Sequence, residues 1–233
     1  MARISRKDLK TDKFAVEVGH TVEFVAAHRS QVVLYGAIAL VVVLLGAGLY
    51  YYRQRQEAAR HVELAKGLRV MSAPVGQDAG PGQFSFPTEE ARNREAAKVF
   101  NEMVARHSGS DSAVLARYHL AGIAADAGKI ADAEKEFKAV AESGNRKYAS
   151  LAKLALSDIY FSAGKTAEAE KFLRDLIAEP TTFVSKEQAT IALARGIGKA
   201  KPDEARKLLE PLRTESSAVS RTSVTALGEL ANQ

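Results

Sequence analysis

Three features of the sequence have residue types and spacing that could do chemistry. Gly164-Lys165-Thr166 has the ending of a phosphate-binding loop, where backbone N–H groups cradle phosphates and a lysine reaches them. That motif needs a glycine five residues before the Gly-Lys pair, and Ile159 stands there. Gly196-Ile197-Gly198-Lys199 is too short for a dinucleotide fingerprint and follows a predicted helix rather than a strand. The histidines, His20, His28, His61, His107 and His119, include no pair with the i, i+4 spacing of a helical metal site and no credible triad. His61 shares a helical stripe with Ala58, Ala65 and Leu68, which predicts a packed core histidine rather than a ligand. The carboxylates lie mainly among lysines, as on a solvated helix face. No catalytic, cofactor-binding or metal-binding residue is assigned, and no cofactor or small-molecule substrate is expected.

Composition narrows the class further. There are no cysteines, which removes thiolate metal sites, thiol nucleophiles, disulfides and a lipid-anchoring cysteine. The net charge is +5, but residues 53–233 carry 27 of the 33 Lys and Arg and 24 of the 28 Asp and Glu. Basic and acidic residues are interleaved there, so no groove-sized basic stripe forms and no nucleic-acid partner is expected. With 46% hydrophobic residues and charges of both signs, the chain can bury a core.

Ser30–Tyr52 is a run of 23 uncharged residues bracketed by Arg29 and Arg53. As a helix it would be roughly 34 Å long, against a hydrocarbon core of about 30 Å. Tyr50, Tyr51 and Tyr52 sit where an interfacial aromatic belt belongs. The charged segment before it and the bulky tyrosines after it predict an uncleaved single-pass anchor rather than a signal peptide. Six basic residues precede the span, and Arg53, Arg55, Arg60, Lys66 and Arg69 follow it, so charge does not decide its orientation. Phe14, Val18, Val22 and Val25 recur at helical spacing in the tail, which fits either an interfacial amphipathic helix or a helix continuing into the span. The expected organisation is a tail over 1–29, a transmembrane helix over 30–52 and a helical domain over 53–233.

The helical domain repeats itself. Residues 113–141 align without gaps to 149–177 at an offset of 36, with 12 of 29 positions identical. Each unit reads as two helices joined at Ala-Gly-Lys, with Gly128 and Gly164 turning out of the first helix. Ala133 and Ala169 permit close helix approach, and Phe137 with Val140, and Leu173 with Leu176, form the buried stripe of the second helices. Ala96, Phe100 and Met103 repeat that stripe upstream, after a first helix expected over Arg53–Met71 and an inserted loop over 72–87. Ala205, Leu209 and Leu212 repeat it downstream, with Pro202 opening that helix and a Ser185/Gln188 capping box on the helix before it. Ser217–Leu230 reads as a terminal capping helix.

These positions resemble the tetratricopeptide repeat. Leu120, Ala121, Gly128, Ala133 and Phe137, and in the second unit Leu156, Ser157, Tyr160, Gly164, Ala169 and Leu173, fall where that family places its packing residues. Arg117 stands where the family often has Trp, and no proline closes the first unit. The resemblance implies an all-α fold: one transmembrane helix followed by a tetratricopeptide-like helical-repeat solenoid. It also implies a groove lined by first helices, with Leu115, Tyr118, Gly122 and Asp126, then Leu151, Leu154, Asp158 and Phe161, facing a protein partner. Ala125 and Ser162 would face the groove as well. Ordinary packing between repeats is the competing account of each position. The groove lacks a Lys and Asn array for clamping a C-terminal carboxylate and suits a hydrophobic segment instead.

The order of tail, span and degenerate repeats also resembles the membrane-anchored ancillary subunit of the bacterial Sec translocon. That likeness implies a non-enzymatic scaffold in the inner membrane, with a cytoplasmic N-terminus and periplasmic repeats, linking translocon subunits to periplasmic chaperones. The alternatives are a chaperone that holds unfolded secreted clients and an assembly factor for another envelope complex.

Overall fold

The computed structural model describes residues 29–76, 85–214 and 217–231. The tail carrying Phe14, Val18, Val22 and Val25, like His20 and His28, lies outside the described residues, as does the interior of the 72–87 loop. The chain divides into two compact units, Met1–Ala58 and Ala59–Gln233.

The first unit is described from Arg29, where helix α1 (Arg29–Met71) begins. This helix is long and apolar enough to cross a membrane. Its apolar side chains point outward on every face, with Val43 65% and Leu45 63% exposed. An all-round apolar helix of this length has no solvated face to offer water.

In the second unit the continuing helix becomes one-sided. Leu64, Gly67 and Val70 are buried on it, whereas His61, Ala65 and Leu68 are exposed, as is Ala58 at the end of the first unit. The stripe expected through His61 is therefore displaced around the helix. The packed face is the one where the small Gly67 lets Phe100 of the next helix approach, so that a Cβ there would overlap the Phe100 ring. The packed histidine is instead His119, stacked on Phe100 at 5.3 Å between centroids. Burial holds its imidazole below the usual histidine range.

Seven further α-helices follow: α2 (Glu89–Arg106), α3 (Asp111–Asp126), α4 (Ile130–Ala141), α5 (Arg146–Ser162), α6 (Thr166–Ala178), α7 (Lys186–Ile197) and α8 (Pro202–Leu209). A 3₁₀ turn over Glu210–Thr214 then leads to α9 (Ser217–Ala231). No strand is present among the described residues. The 72–87 segment is pinched at its base, where Gly76 N–H donates to Phe86 O and Phe86 N–H to Pro74 O, each at 3.0 Å.

The helices differ in how they start. Four N-termini carry side-chain caps: the Ser110 hydroxyl accepts from Ala113 N–H, the Asn145 carbonyl from Lys147 and Tyr148 N–H, Ser185 from Gln188 N–H, and Thr88 from Ala91 N–H. The second helices α4 and α6 have no such cap because each emerges from a turn fixed by the helix before it. There Gly128 and Gly164 take φ of 72° and 73°. Lys129 N–H donates to Ala124 O and Lys165 N–H to Tyr160 O, both at 2.8 Å, which closes a Schellman motif on each first helix.

Lysines also tie successive units together at two places. Glu134 on α4 accepts from Tyr160 Oη at 3.1 Å and lies 3.7 Å from Lys165 Nζ in the next turn. One unit later, Glu170 on α6 pairs with Lys201 Nζ at 2.6 Å. Lys165 and Lys201, 36 residues apart, thus each meet the glutamate of the preceding second helix, Glu134 and Glu170, which are also 36 residues apart. At Arg117, which replaces the family's aromatic residue, an ion pair to Glu136 at 2.7 Å joins α3 to α4.

Three apolar clusters follow one another along the second unit. The first contains Leu64, Val70, Ala96, Phe100, Met103 and Ala116. The second is built around Ala133, Phe137, Val140, Leu156 and Tyr160. The third runs from Leu173 and Leu176 through Leu193, Ile197 and Leu209 to Ala226 and Leu230 of α9. The expected second-helix pattern through Leu212 stops early. The α-helix ends at Leu209 and Leu212 sits in the 3₁₀ turn, half-buried. Pro211 lacks an N–H for the helix ladder, and its ring crowds the preceding turn.

Candidate functional site

First helices α3, α5 and α7 stack so that each presents one face away from its own second helix. On α3, Leu115 is half-buried against the first cluster. Tyr118 is half-buried too, its ring edge-on to Phe137 at 5.5 Å and to His119 at 5.9 Å. Gly122 has open space where a Cβ would stand. Asp126 is exposed at the helix end, and Ala125 packs on the second cluster. On α5, Leu151 is half-buried against the third cluster.

The remaining three predicted residues come together. Leu154, Asp158 and Phe161, with Ser162, form one wall of an open groove of about 610 Å³ between α5, α7 and α9. That volume lies within the ordinary range for ligand-binding clefts. The opposite side is supplied by Ile191, Ala192, Arg195 and Gly196 of α7, and by Ala218, Val219 and Thr222 of α9. Ser185, Glu187 and Gln188 mark its edge at the start of α7. These α7 and α9 residues were not among those singled out by the repeat pattern. Their signal would have been the continuation of the 36-residue spacing from Leu154 and Asp158 to Thr190 and Ala194, and it is blurred by one or two residues.

Glycine geometry shapes the groove wall. A Cβ at Gly196 would overlap the Phe161 ring, and one at Gly198 would overlap the Leu230 side chain. The Gly-Ile-Gly sequence therefore serves close packing, on one side of the Phe161 ring and on the other of the capping helix. Gly164-Lys165-Thr166 likewise forms the turn between α5 and α6, with Lys165 lying 5.0 Å from the Tyr160 ring centroid.

The charges of the groove are unevenly satisfied. Arg195 is held by Glu229 of α9 through two contacts, Nε to Oε2 at 3.1 Å and Nη2 to Oε1 at 3.4 Å. The Ser185 hydroxyl and a backbone N–H keep the Glu187 carboxyl below its ordinary range, with a smaller contribution from Lys186. Asp158 is different. Desolvation by its surroundings raises its carboxyl above the usual range, and no cation within ion-pair distance offsets this among the described residues.

The histidines are not gathered into a site. His61 is exposed, His107 lies 3.1 Å from Glu63, and His119 is stacked in the first cluster. Among the described residues, no group of three or more His, Cys, Asp or Glu is placed to hold a metal ion.

The family model described as a tetratricopeptide repeat-like domain matches residues 27–188. The matched range takes in the apolar part of α1 as well as both clear repeats. No curated protein and no solved structure matches the chain.

Proposed function

This chain belongs to the tetratricopeptide repeat-like domain family, and from that membership we propose that it is a non-enzymatic, membrane-anchored scaffold that docks protein segments in the α5–α7–α9 groove. Domains of this family are generally interaction modules without catalysis. The observation that carries the reading is the open groove itself. Its walls combine the apolar Leu154, Phe161, Ile191 and Val219 with polar and charged groups such as Asp158, Glu187, Arg195 and Thr222, which suits a protein segment carrying both kinds of side chain. The anchor reading rests on the outward-facing apolar side chains of Ser30–Tyr52.

The partners that fit best are subunits of the Sec translocon and periplasmic chaperones, with the N-terminus cytoplasmic and the repeats periplasmic in the bacterial inner membrane. Support for this comes from the order of anchor and degenerate repeats and from the inclusion of the anchor in the family match. Crosslinking and affinity capture in intact membranes, with protease digestion of the same spheroplasts, tests both halves. Capture of translocon subunits with an externally digestible C-terminal domain is the expected outcome. A protected C-terminal domain overturns the periplasmic placement. An accessible domain that captures only diverse unfolded chains replaces the scaffold with a client-holding chaperone.

A further inference from the structure

We propose that the α5–α7–α9 groove receives an apolar protein segment that bears a lysine or arginine, and that Asp158 is the residue that meets this cation. This deepens the docking function proposed above and rests on it. The apolar part of the walls sets the first requirement: Leu154 and Phe161 on α5 favour an occupant that brings apolar side chains to cover them.

The sign of the charge follows from which groups are already engaged. An anionic occupant, such as a chain terminus or an acidic loop, would need Arg195, and Glu229 already holds that guanidinium through two of its nitrogens. Glu187 lies at the groove's edge at the start of α7, where the Ser185 hydroxyl and a backbone N–H hold its carboxyl below the ordinary range. Asp158, in the middle of the α5 wall, has neither an ion-pair partner nor a side-chain hydrogen bond among the described residues. The neighbouring Ser162 hydroxyl donates to the Asp158 backbone carbonyl at 2.9 Å, which leaves the carboxylate oxygens to the groove. Asp158 is exposed at the groove, so its carboxylate is open to a cation brought in by the occupant, and a charge-assisted hydrogen bond can form there. Removal of water by the apolar part of the same segment strengthens the pairing, since a charge pair is worth more as the local dielectric falls.

The test uses the full chain in nanodiscs, with empty nanodiscs as the blank, and two fluorescein-labelled peptides. Both carry the apolar sequence Leu-Leu-Phe-Leu; one has lysine beside it and the other glutamine. Anisotropy is expected to show the lysine peptide binding about tenfold more tightly, the scale of one charge-assisted hydrogen bond. Asp158→Asn is expected to abolish that preference and leave the glutamine peptide unchanged, and 0.5 M salt is expected to shrink it in the unsubstituted chain only. Circular dichroism checks that the variant keeps its helices. Equal affinity for both peptides, a preference that survives Asp158→Asn, or no binding of either peptide overturns the proposal. Ala192→Phe, which fills the groove, separates the two levels. If it abolishes binding of both peptides while no lysine preference exists, docking in the groove stands and the charge rule fails. If it leaves binding intact, the peptides sit elsewhere and both readings fail.

Discussion

Asp158 and the packing glycines carry opposite kinds of meaning. The Asp158 carboxyl is raised by burial, so the folded chain binds its proton more tightly than the unfolded chain does. The sign is therefore that of a liability: stability is highest below the unfolded carboxyl range and declines as pH rises through the raised folded value. Asp158→Asn should raise thermal stability slightly at pH 7, by less than about 1 kcal/mol given the group's exposure, and the advantage should vanish near pH 3. A melting temperature lowered at pH 7 would show instead that the carboxylate has a stabilising partner. The glycines differ by what surrounds them. Gly67 faces Phe100, which is fully buried and cannot move, whereas Gly196 faces Phe161, which borders an open groove. Alanine adds about 1 kcal/mol of helix propensity at either site. Gly67→Ala should still destabilise by about 2 kcal/mol through overpacking. Gly196→Ala should be close to neutral in a denaturant titration, because the Phe161 ring can swing outward. Equal losses at both positions would contradict this account.

At the level of helices, the unit-to-unit lysine pairs give the repeats a common joint. Lys201, first, and Arg174 hold the Glu170 carboxyl below its usual range, so this contribution is present above the unfolded carboxylate range and is lost as pH falls through the depressed value. Lys201 is nearly half exposed, which limits the pair. A double-mutant cycle with Glu170→Gln and Lys201→Met should give a coupling under about 1 kcal/mol that fades in high salt. A larger, salt-insensitive coupling would mean that the pair is effectively buried. Elements built from local signals were legible in the sequence: the glycine turns, the Ala133 and Ala169 approaches, and the Phe137 and Leu173 stripes all depend on residues within one unit. What was not legible depended on neighbours far along the chain. The buried face of the helix after residue 53 was assigned through His61, because Gly67 gives no hydrophobic signal although it is the point of closest approach to Phe100. The 3₁₀ turn at Glu210–Thr214 follows from Pro211, whose effect outweighed the apolar spacing of Leu209 and Leu212. The groove was half legible, since Leu154, Asp158 and Phe161 come from a clear repeat, whereas Val219 reaches it only through the docking of α9.

For the molecule as a whole, the contrast between its two units sets the main expectation. A helix whose apolar side chains all face outward is stable only in a solvent that matches it. Replacing both Val42 and Leu44 with lysine near the middle of the run adds an insertion cost of about 2.5–3.5 kcal/mol each. The doubly substituted chain should leave the membrane fraction after carbonate extraction, whereas Val62→Lys, in the second unit, should not affect retention. Retention of the double variant would show that something other than this helix holds the protein at the membrane.

The order of the three apolar clusters along the chain has a consequence for how the second unit assembles in time. From α2 onward, each helix packs chiefly against those just before and after it, so few contacts wait for distant sequence. A chain delivered from its N-terminal end can therefore fold turn by turn as it emerges, each unit forming on the surface left by the last. The exception is the end. Ile197 and Leu209 stay uncovered until α9 brings Ala226 and Leu230 onto them, and the groove has no third wall before that moment. Docking of α9 is thus the step that completes the groove, so under the proposed docking function a nascent chain would engage its partner there only after α9 has packed.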